Sequence, residues 1–166
     1  VIVNPSAPIG PRDVKPTPTG RMICQAAAGK VPAFVDTGLN IVHVDDVAEG
    51  HWKAFEKGQI GERYILGGEN HTLRQILFSI AKITGKKPPL FSIPHGFLLP
   101  FAYLSELFAR LFNKEDIMLT VDSVKMSKKK MFFSTDKAKN FLEYKPREAI
   151  KGIEDAINWF KENQYL

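Results

Sequence analysis

The feature that most constrains the fold is the start of the chain, where residues 1–3 form a β-branched run that stops at Asn4 and Pro5. A short run of this kind predicts a buried parallel strand. Pro5 ends the strand because proline has no N–H to give to a ladder. A polar loop stiffened by Pro8 and Pro11 follows. Open α/β sheets bind ligands in loops that leave the carboxyl ends of their strands, so the stretch predicts a ligand-binding edge.

Composition is that of a globular chain able to bury a core. The 166 residues are 44% hydrophobic and 25% charged, which argues against disorder. The net charge of +5 permits anionic partners without requiring them. Cys24 is the only cysteine, so no internal disulfide forms and a reducing compartment is favoured. The longest apolar stretch, residues 96–103, is shorter than the roughly 20 residues that span a bilayer. No membrane span and no secretory leader are predicted, and the expected location is cytoplasmic.

Helical and extended segments alternate along the chain, which predicts an α/β fold. Thr17 or Thr19 is expected to cap the first helix, and Asp45 or Asp46 the second. Pro100 is expected to break or bend the most apolar helix. The predicted helices cover residues 20–28, 47–57, 73–84, 97–112, 121–126, 134–144 and 147–163, and the predicted later strands cover residues 31–35, 39–44, 62–66, 90–93 and 131–133.

Several signatures of catalysis and binding do not occur in the sequence. There is no glycine-rich dinucleotide fingerprint after a strand, no Gly-x-Ser-x-Gly elbow and no phosphate-binding loop ending in Gly-Lys-Ser or Gly-Lys-Thr. The four histidines have no metal-ligand spacing, so no metal site is predicted. Adjacent Asp45 and Asp46 are better explained by helix capping than by shared proton chemistry. No catalytic residue is predicted in this chain.

Two other functions are compatible with parts of the sequence. Lys125 and the run of residues 128–130 form the densest basic cluster, which is expected in a module that binds an anion or nucleic acid. The cluster lacks interleaved aromatic residues, so a solvated helix end is the preferred explanation. A small hydrolase that pairs His43 with a carboxylate is the second alternative. It lacks an identifiable nucleophile, and a strand histidine is more often part of a core.

Several segments in order resemble a known family. They are Val-Asn-Pro-Ser-Ala-Pro-Ile-Gly-Pro-Arg-Asp at residues 3–13, Asn-Ile-Val-His-Val-Asp-Asp-Val-Ala-Glu-Gly-His at residues 40–51, and Glu-Arg-Tyr-Ile-Leu-Gly-Gly-Glu-Asn at residues 62–70. Lys-Lys-Met-Phe-Phe-Ser at residues 129–134 and Tyr-Lys-Pro at residues 144–146 extend the match. Together they resemble the extended short-chain dehydrogenases/reductases, the NAD-dependent sugar epimerases and dehydratases. Within that group the sequence is most similar to hopanoid-associated sugar epimerases and dihydroflavonol-4-reductase-like proteins.

The resemblance implies the C-terminal half of such an enzyme. The family's first half carries a Rossmann glycine loop and a Tyr-x-x-x-Lys pair, and this chain contains neither. Residues 1–16 and 46–68 would belong to the cofactor domain, and residues 17–45 and 69–166 to a substrate-binding domain. A chain that begins directly on a strand fits this reading, and the isolated chain is expected to be inactive. Open edges of the incomplete sheet predict either self-association as a homo-oligomer or partial disorder of the first residues.

The resemblance also implies the site residues. The backbone amides of Pro5, Ser6 and Ala7 would contact the nicotinamide end of NAD or NADP. A small-molecule substrate, a nucleotide sugar or a related carbonyl or hydroxyl compound, is expected, and no nucleic acid. An arginine in the following loop suits a phosphate or carboxylate, because its planar guanidinium binds such groups with two hydrogen bonds. Equally, Arg12 can be an ordinary exposed loop charge. The predicted substrate-binding residues are Arg12, Asp13, Thr17, Thr19, Arg21 and His43.

Overall fold

A computed structural model describes residues 1–112 and 120–166 of the chain. Helices and strands alternate through these residues, so the predicted α/β class is confirmed. The strands are β1 (Ile2–Pro5), β2 (Ala7–Ile9), β3 (Ala33–Phe34), β4 (Gly38–His43), β5 (Arg63–Leu66), β6 (Glu69–Thr72) and β7 (Phe91–Ser92). The helices are α1 (Pro18–Ala27), α2 (Val44–Lys57), α3 (Leu73–Thr84), α4 (His95–Phe112), α5 (Val121–Ser127), α6 (Asp136–Leu142) and α7 (Ala149–Glu162).

The first strand belongs to a two-stranded parallel sheet. β1 pairs with β5, in a register that places Ile2 beside Arg63 and Pro5 beside Leu66. Helices α2 and α6 pack on this sheet through a buried cluster of Val42, Val47, Ala54, Tyr64, Leu66, Ala138, Leu142 and Tyr144. The prediction that β1 is buried is wrong for this chain, because β1 has one strand neighbour among the described residues and Ile2 is 48% exposed. Self-association through its open edge stays a prediction.

A second, mixed sheet carries the larger core. Its strand order is β2-β4-β6, with β2 parallel and β6 antiparallel to the central β4. Helices α1, α3 and α7 pack together beside it and bury the apolar residues Ile9, Ile23, Ala26, Ala27, Ile41, Ile76, Leu77, Ile80, Ala149, Ile153, Ala156, Ile157 and Phe160. A short parallel pair, β3 and β7, lies apart from both sheets. The chain thus passes from the β1–β5 sheet to the mixed sheet between Pro5 and Ala7.

Most helix starts follow from local capping chemistry. Thr17 caps α1, as predicted, and its hydroxyl accepts from the backbone N–H of Gly20. Thr72 caps α3 through a reciprocal box with Gln75. The prediction for α2 is wrong, because His43 is its N-cap and its ring accepts from the backbone N–H of Asp45. Asp45 and Asp46 both lie in the first turn of α2, where their negative charges interact favourably with the positive end of the helix dipole.

Three other predictions need correction. Strand β6 was not expected, because Glu-Asn-His-Thr lacks the apolar alternation of a half-buried strand and lies at a sheet edge. Residues 131–133 form a single bridge, from Met131 to Leu39, instead of a strand. Helix α4 continues through Pro100, so the predicted break does not occur, whereas the alternative of a bend there stays a prediction. No helix within the described ranges combines the length and apolarity that a membrane crossing needs.

Candidate functional site

The carboxyl end of β1 and one face of β5 border a cavity of about 380 Å³. The backbone N–H of Ser6 donates to the carbonyl of Leu66 at 3.1 Å, which continues the pairing one step beyond Pro5. The Ser6 hydroxyl oxygen is buried and has no hydrogen-bond partner among the residues that the structure describes. The cavity is lined by Asn4, Pro5, Ser6, Arg63, Ile65 and Phe133. We call it the β1 cavity.

Two of the three residues predicted to contact the cofactor through a backbone amide have no free N–H group to offer. Pro5 has no N–H, and the N–H of Ser6 is already donated to Leu66. Ala7 begins β2 and pairs in register with Ile41. The unpartnered group that the loop offers is thus the side-chain hydroxyl of Ser6, which sequence reasoning missed because it considered only the backbone.

A second cavity, of about 180 Å³, lies where the loop after β2 meets α1 and α7. We call it the loop cavity. Three of the predicted substrate residues, Arg12, Asp13 and Thr17, line it. The Asp13 carboxylate accepts from the Thr17 backbone N–H at 3.0 Å and from its hydroxyl at 3.0 Å. Gly20 leaves room for this carboxylate, because a Cβ atom at that position would lie 2.0 Å from it and would displace the Asp13 side chain.

Thr19 and Arg21 lie apart from that cluster. Both belong to α1, and neither lines the loop cavity. The Arg21 side chain is exposed. The structure therefore brings together the first three predicted substrate residues and not these two.

Arg12 is held at the start of α2. Its guanidinium forms an ion pair with Asp45, although the Arg12 side chain stays largely exposed. Its backbone has a φ of 72°, a left-handed conformation that is uncommon outside glycine. The neighbouring Asp46 is buried and accepts from the backbone N–H of Arg147 at 2.8 Å and from its side-chain Nε at 2.9 Å. The two aspartates thus anchor two arginines from distant parts of the chain.

His43 lies in the core with both ring nitrogens engaged. Nδ1 accepts from the Asp45 backbone N–H at 3.1 Å. The proton is therefore on Nε2, which donates to the Asp155 carboxylate at 3.2 Å. This arrangement gives His43 a capping and bridging role. It supplies no support for the hydrolase reading, since neither ring nitrogen remains for a nucleophile.

The carboxyl of Asp155 is the charged partner of that histidine. Burial raises its pKa, but hydrogen bonds from Lys151 and His43 outweigh burial and hold the pKa below the usual value. The Lys151 amine lies 3.0 Å from the carboxylate. A carboxyl whose pKa is lowered on folding stabilises the native state above its unfolded pKa. That stability is lost as the pH falls through the lower folded value.

We expect Asp155→Asn to lower the free energy of unfolding by about 1–2 kcal/mol at pH 7, because it removes a charge-assisted acceptor. The difference from the parent should shrink as the pH falls below 3.8, the ordinary pKa of the carboxyl. Urea unfolding at pH 7 and pH 3 measures this. Glu154→Gln removes an exposed charge from the same helix and should cost at most about 0.5 kcal/mol at pH 7. A difference that grows toward low pH would contradict the assignment.

Sequence reasoning also missed the partners of this cluster. Arg147 is 101 positions from Asp46, and Asp155 is 112 positions from His43. No local spacing connects residues so far apart, so only the packing of α7 against β4 brings them together. The basic cluster lies elsewhere: Lys130 pairs with Asp36 at 3.2 Å, and within the described residues the cluster lines neither the β1 cavity nor the loop cavity.

Comparison with known proteins identifies the family. The model of the NAD dependent epimerase/dehydratase family matches residues 1–67, which include β1, β5 and the loop cavity residues that precede α7. The resemblance to this family that the sequence predicts is confirmed. A Synechocystis protein named as a dihydroflavonol 4-reductase is 42% identical over 172 residues, covering 100% of this chain and 49% of its own length. The predicted likeness to dihydroflavonol-4-reductase-like proteins is confirmed.

Solved structures of similar proteins agree with the fold. The crystal structure of gox2253 is 53% identical, with a TM-score of 0.83, and the match covers 99% of this chain and 50% of that one. A nucleoside-diphosphate-sugar epimerase from Pseudomonas aeruginosa is 26% identical, with a TM-score of 0.80, and the match covers 99% and 49%. The chain spans about half the length of the relatives it matches.

Proposed function

We propose that this chain supplies the nicotinamide-side wall and the substrate-binding domain of an NAD(P)-dependent epimerase, dehydratase or reductase. Residues 1–16 and 46–68 would belong to the cofactor domain. Residues 17–45 and 69–166 would form the substrate domain. The description of the matching family as NAD dependent supports this assignment.

The observation that carries the proposal is the buried, unpartnered hydroxyl of Ser6 beside the β1 cavity. A buried polar atom without a partner costs free energy, and such atoms are rare in native proteins. The hydroxyl can both donate and accept, which fits the carboxamide of a nicotinamide ring. Pro5 and Ala7 would form the backbone wall on either side of it. The cofactor, when bound, accepts or returns a hydride.

The loop cavity supports the substrate side of the proposal. Asp13 and Thr17 fix the loop through their mutual hydrogen bonds. Arg12 then presents an exposed guanidinium, which is suited to a phosphate or carboxylate. We therefore propose a nucleotide sugar, or a related carbonyl or hydroxyl compound, as substrate.

The remaining predicted substrate residues would act at different distances from that compound. Thr19 and Arg21 of α1 would contact a larger substrate beyond the loop cavity. His43 would act indirectly, by fixing Asp45 and through it the Arg12 guanidinium. Because the chain contains neither a glycine-rich fingerprint nor a Tyr-x-x-x-Lys pair, we propose that turnover needs a second segment and that the isolated chain is inactive.

Ser6→Ala tests the cofactor assignment by two opposite effects. In the isolated chain we expect the free energy of unfolding to stay unchanged or rise by up to about 1 kcal/mol, because an unsatisfied buried hydroxyl is removed. In a chimera, with this chain replacing the matching half of the Synechocystis relative, we expect NADH to bind about three- to tenfold more weakly. That loss corresponds to one neutral hydrogen bond. Urea unfolding and NADH fluorescence titration measure the two effects.

Ser92→Ala is the matched control, because Ser92 is exposed on β7 and lines neither cavity. It should change neither stability nor NADH affinity. The assignment is wrong if Ser6→Ala leaves the NADH affinity of the chimera unchanged, or if it destabilises the isolated chain by more than the control does.

A further inference from the structure

Helix α4 exposes an apolar face. Phe97, Phe101 and Leu104 are 70%, 62% and 55% exposed, and their spacing of four and three residues places them on one side of the helix. Pro100 is exposed next to them. Exposed apolar residues scattered singly need no explanation, but a continuous apolar helix face marks an interaction surface. We call these four residues the α4 face.

The opposite side of α4 is already used. Ala102 is buried with Val121 and Val124 of α5, and Leu98 and Leu99 pack against the same cluster. The backbone N–H of Val121 donates to the Glu106 carboxylate at 2.7 Å, and His95 Nε2 donates to the carbonyl of Ser127 at 3.1 Å. The two helices therefore run antiparallel, and these hydrogen bonds join them at both ends of α5. The α4 face points away from this hairpin's interior.

Basic residues lie at one end of the hairpin. Because Ser127 contacts His95, Lys128 and Lys129 lie near the amino end of α4. Lys125 is exposed on the last turn of α5. Within the described residues, no carboxylate forms an ion pair with these three lysines, whereas Lys130 pairs with Asp36. The acidic Asp122 lies at the other end of α5.

We infer that the α4 face and its flanking lysines dock this protein on an anionic membrane surface. An exposed helix with aromatic and leucine side chains on one face lies in the interfacial plane of a bilayer, with that face among the acyl chains. Each nearby lysine adds attraction to anionic headgroups. The α4 face is the convex side of a helix, so it cannot enclose a small ligand. A bilayer can take up such a face without a matching groove. The inference is independent of the proposed enzyme function.

Co-sedimentation of the 166-residue chain with vesicles tests the inference. We expect binding to phosphatidylcholine vesicles that contain phosphatidylglycerol, weaker binding to phosphatidylcholine alone, and a loss of binding as salt is raised. Phe97→Ser with Phe101→Ser should weaken the partition coefficient by about tenfold or more, because two aromatic anchors are lost. Lys128→Ser with Lys129→Ser, which leaves the apolar face intact, should weaken it by about fivefold per lysine.

The matched control is Trp52→Ser with Phe55→Ser, which removes two exposed aromatic side chains from α2. Binding should be unchanged in this variant, and circular dichroism should be the same for all variants. The inference is overturned if the chain does not bind anionic vesicles or binds neutral vesicles equally well. It is also overturned if the α4 variant binds like the parent, or if sedimentation velocity shows that the α4 face forms a dimer without vesicle binding.

Discussion

Replacing Phe160 by alanine is expected to lower the free energy of unfolding by about 3–5 kcal/mol, the cost of truncating a buried aromatic residue. Phe160 is buried on α7, with its ring centroid 5.3 Å from that of Trp159 and 5.6 Å from that of Tyr165. It also lines the loop cavity, so truncation would enlarge an existing space rather than let the core close. Urea unfolding followed by circular dichroism measures the change.

Phe141→Ala is the control for this prediction. Phe141 is half-exposed on α6, so the same truncation should cost less than about 1 kcal/mol. Equal losses in the two variants would contradict the placement of α7 against the mixed sheet. If Phe160→Ala in the chimera lowers the free energy of substrate binding by more than it lowers the free energy of unfolding, Phe160 also contributes to substrate binding at the loop cavity.

Replacing Asn40 by leucine is expected to cost about 3 kcal/mol or more, although the two side chains have the same number of heavy atoms and the same branching. Asn40 is buried on β4, and its amide donates to the Gly68 carbonyl at 3.3 Å, the Asn70 side-chain oxygen at 2.7 Å and the Phe133 carbonyl at 3.2 Å. Its oxygen accepts from the Gly68 N–H at 2.9 Å. Leucine would remove these bonds and leave the half-buried N–H and carbonyl of Gly68 without Asn40, and each orphaned group costs about 1–3 kcal/mol. Asn70 and Phe133 would keep the hydrogen bonds that they make to each other.

The loss should be visible in urea unfolding and in the exchange of the Gly68 amide hydrogen. Asn140→Leu is the matched control, because Asn140 is exposed on α6 and leucine has the better helix propensity. It should be neutral within about 0.5 kcal/mol. An Asn40 variant as stable as this control would contradict the hydrogen-bond network that joins the turn at residues 67–68 to β6.

Local chemistry explains which elements the sequence could predict. The capping residues Thr17 and Thr72 and the left-handed Gly85 fix helix ends within a few residues, so α1 and α3 were predictable. Strand β6 was not, because an edge strand of polar residues gains its stability from β4 and not from its own pattern. The burial of β1 was misjudged for a related reason. A β-branched run suits a buried strand, but only neighbouring strands bury it.

The residues of the candidate site also fall into a group that local sequence predicts and a group that depends on long-range packing. The loop containing Arg12 and Asp13 was recognised from a contiguous motif, and the structure brings these residues together with Thr17. The anchors of that loop, Asp45 and His43, were assigned other roles because their partners lie elsewhere in the chain. The unpartnered hydroxyl of Ser6 depends on its three-dimensional surroundings, which no spacing rule describes.

The central claim is that this chain carries one wall of a nicotinamide cofactor cleft whose other wall lies in a second segment. NADH fluorescence titration of the isolated chain and of the Synechocystis chimera tests it most directly. We expect no saturable binding by the isolated chain and one NADH bound per chimera. Tight, stoichiometric binding of NADH by the isolated chain, or no binding by a folded chimera, would contradict the claim.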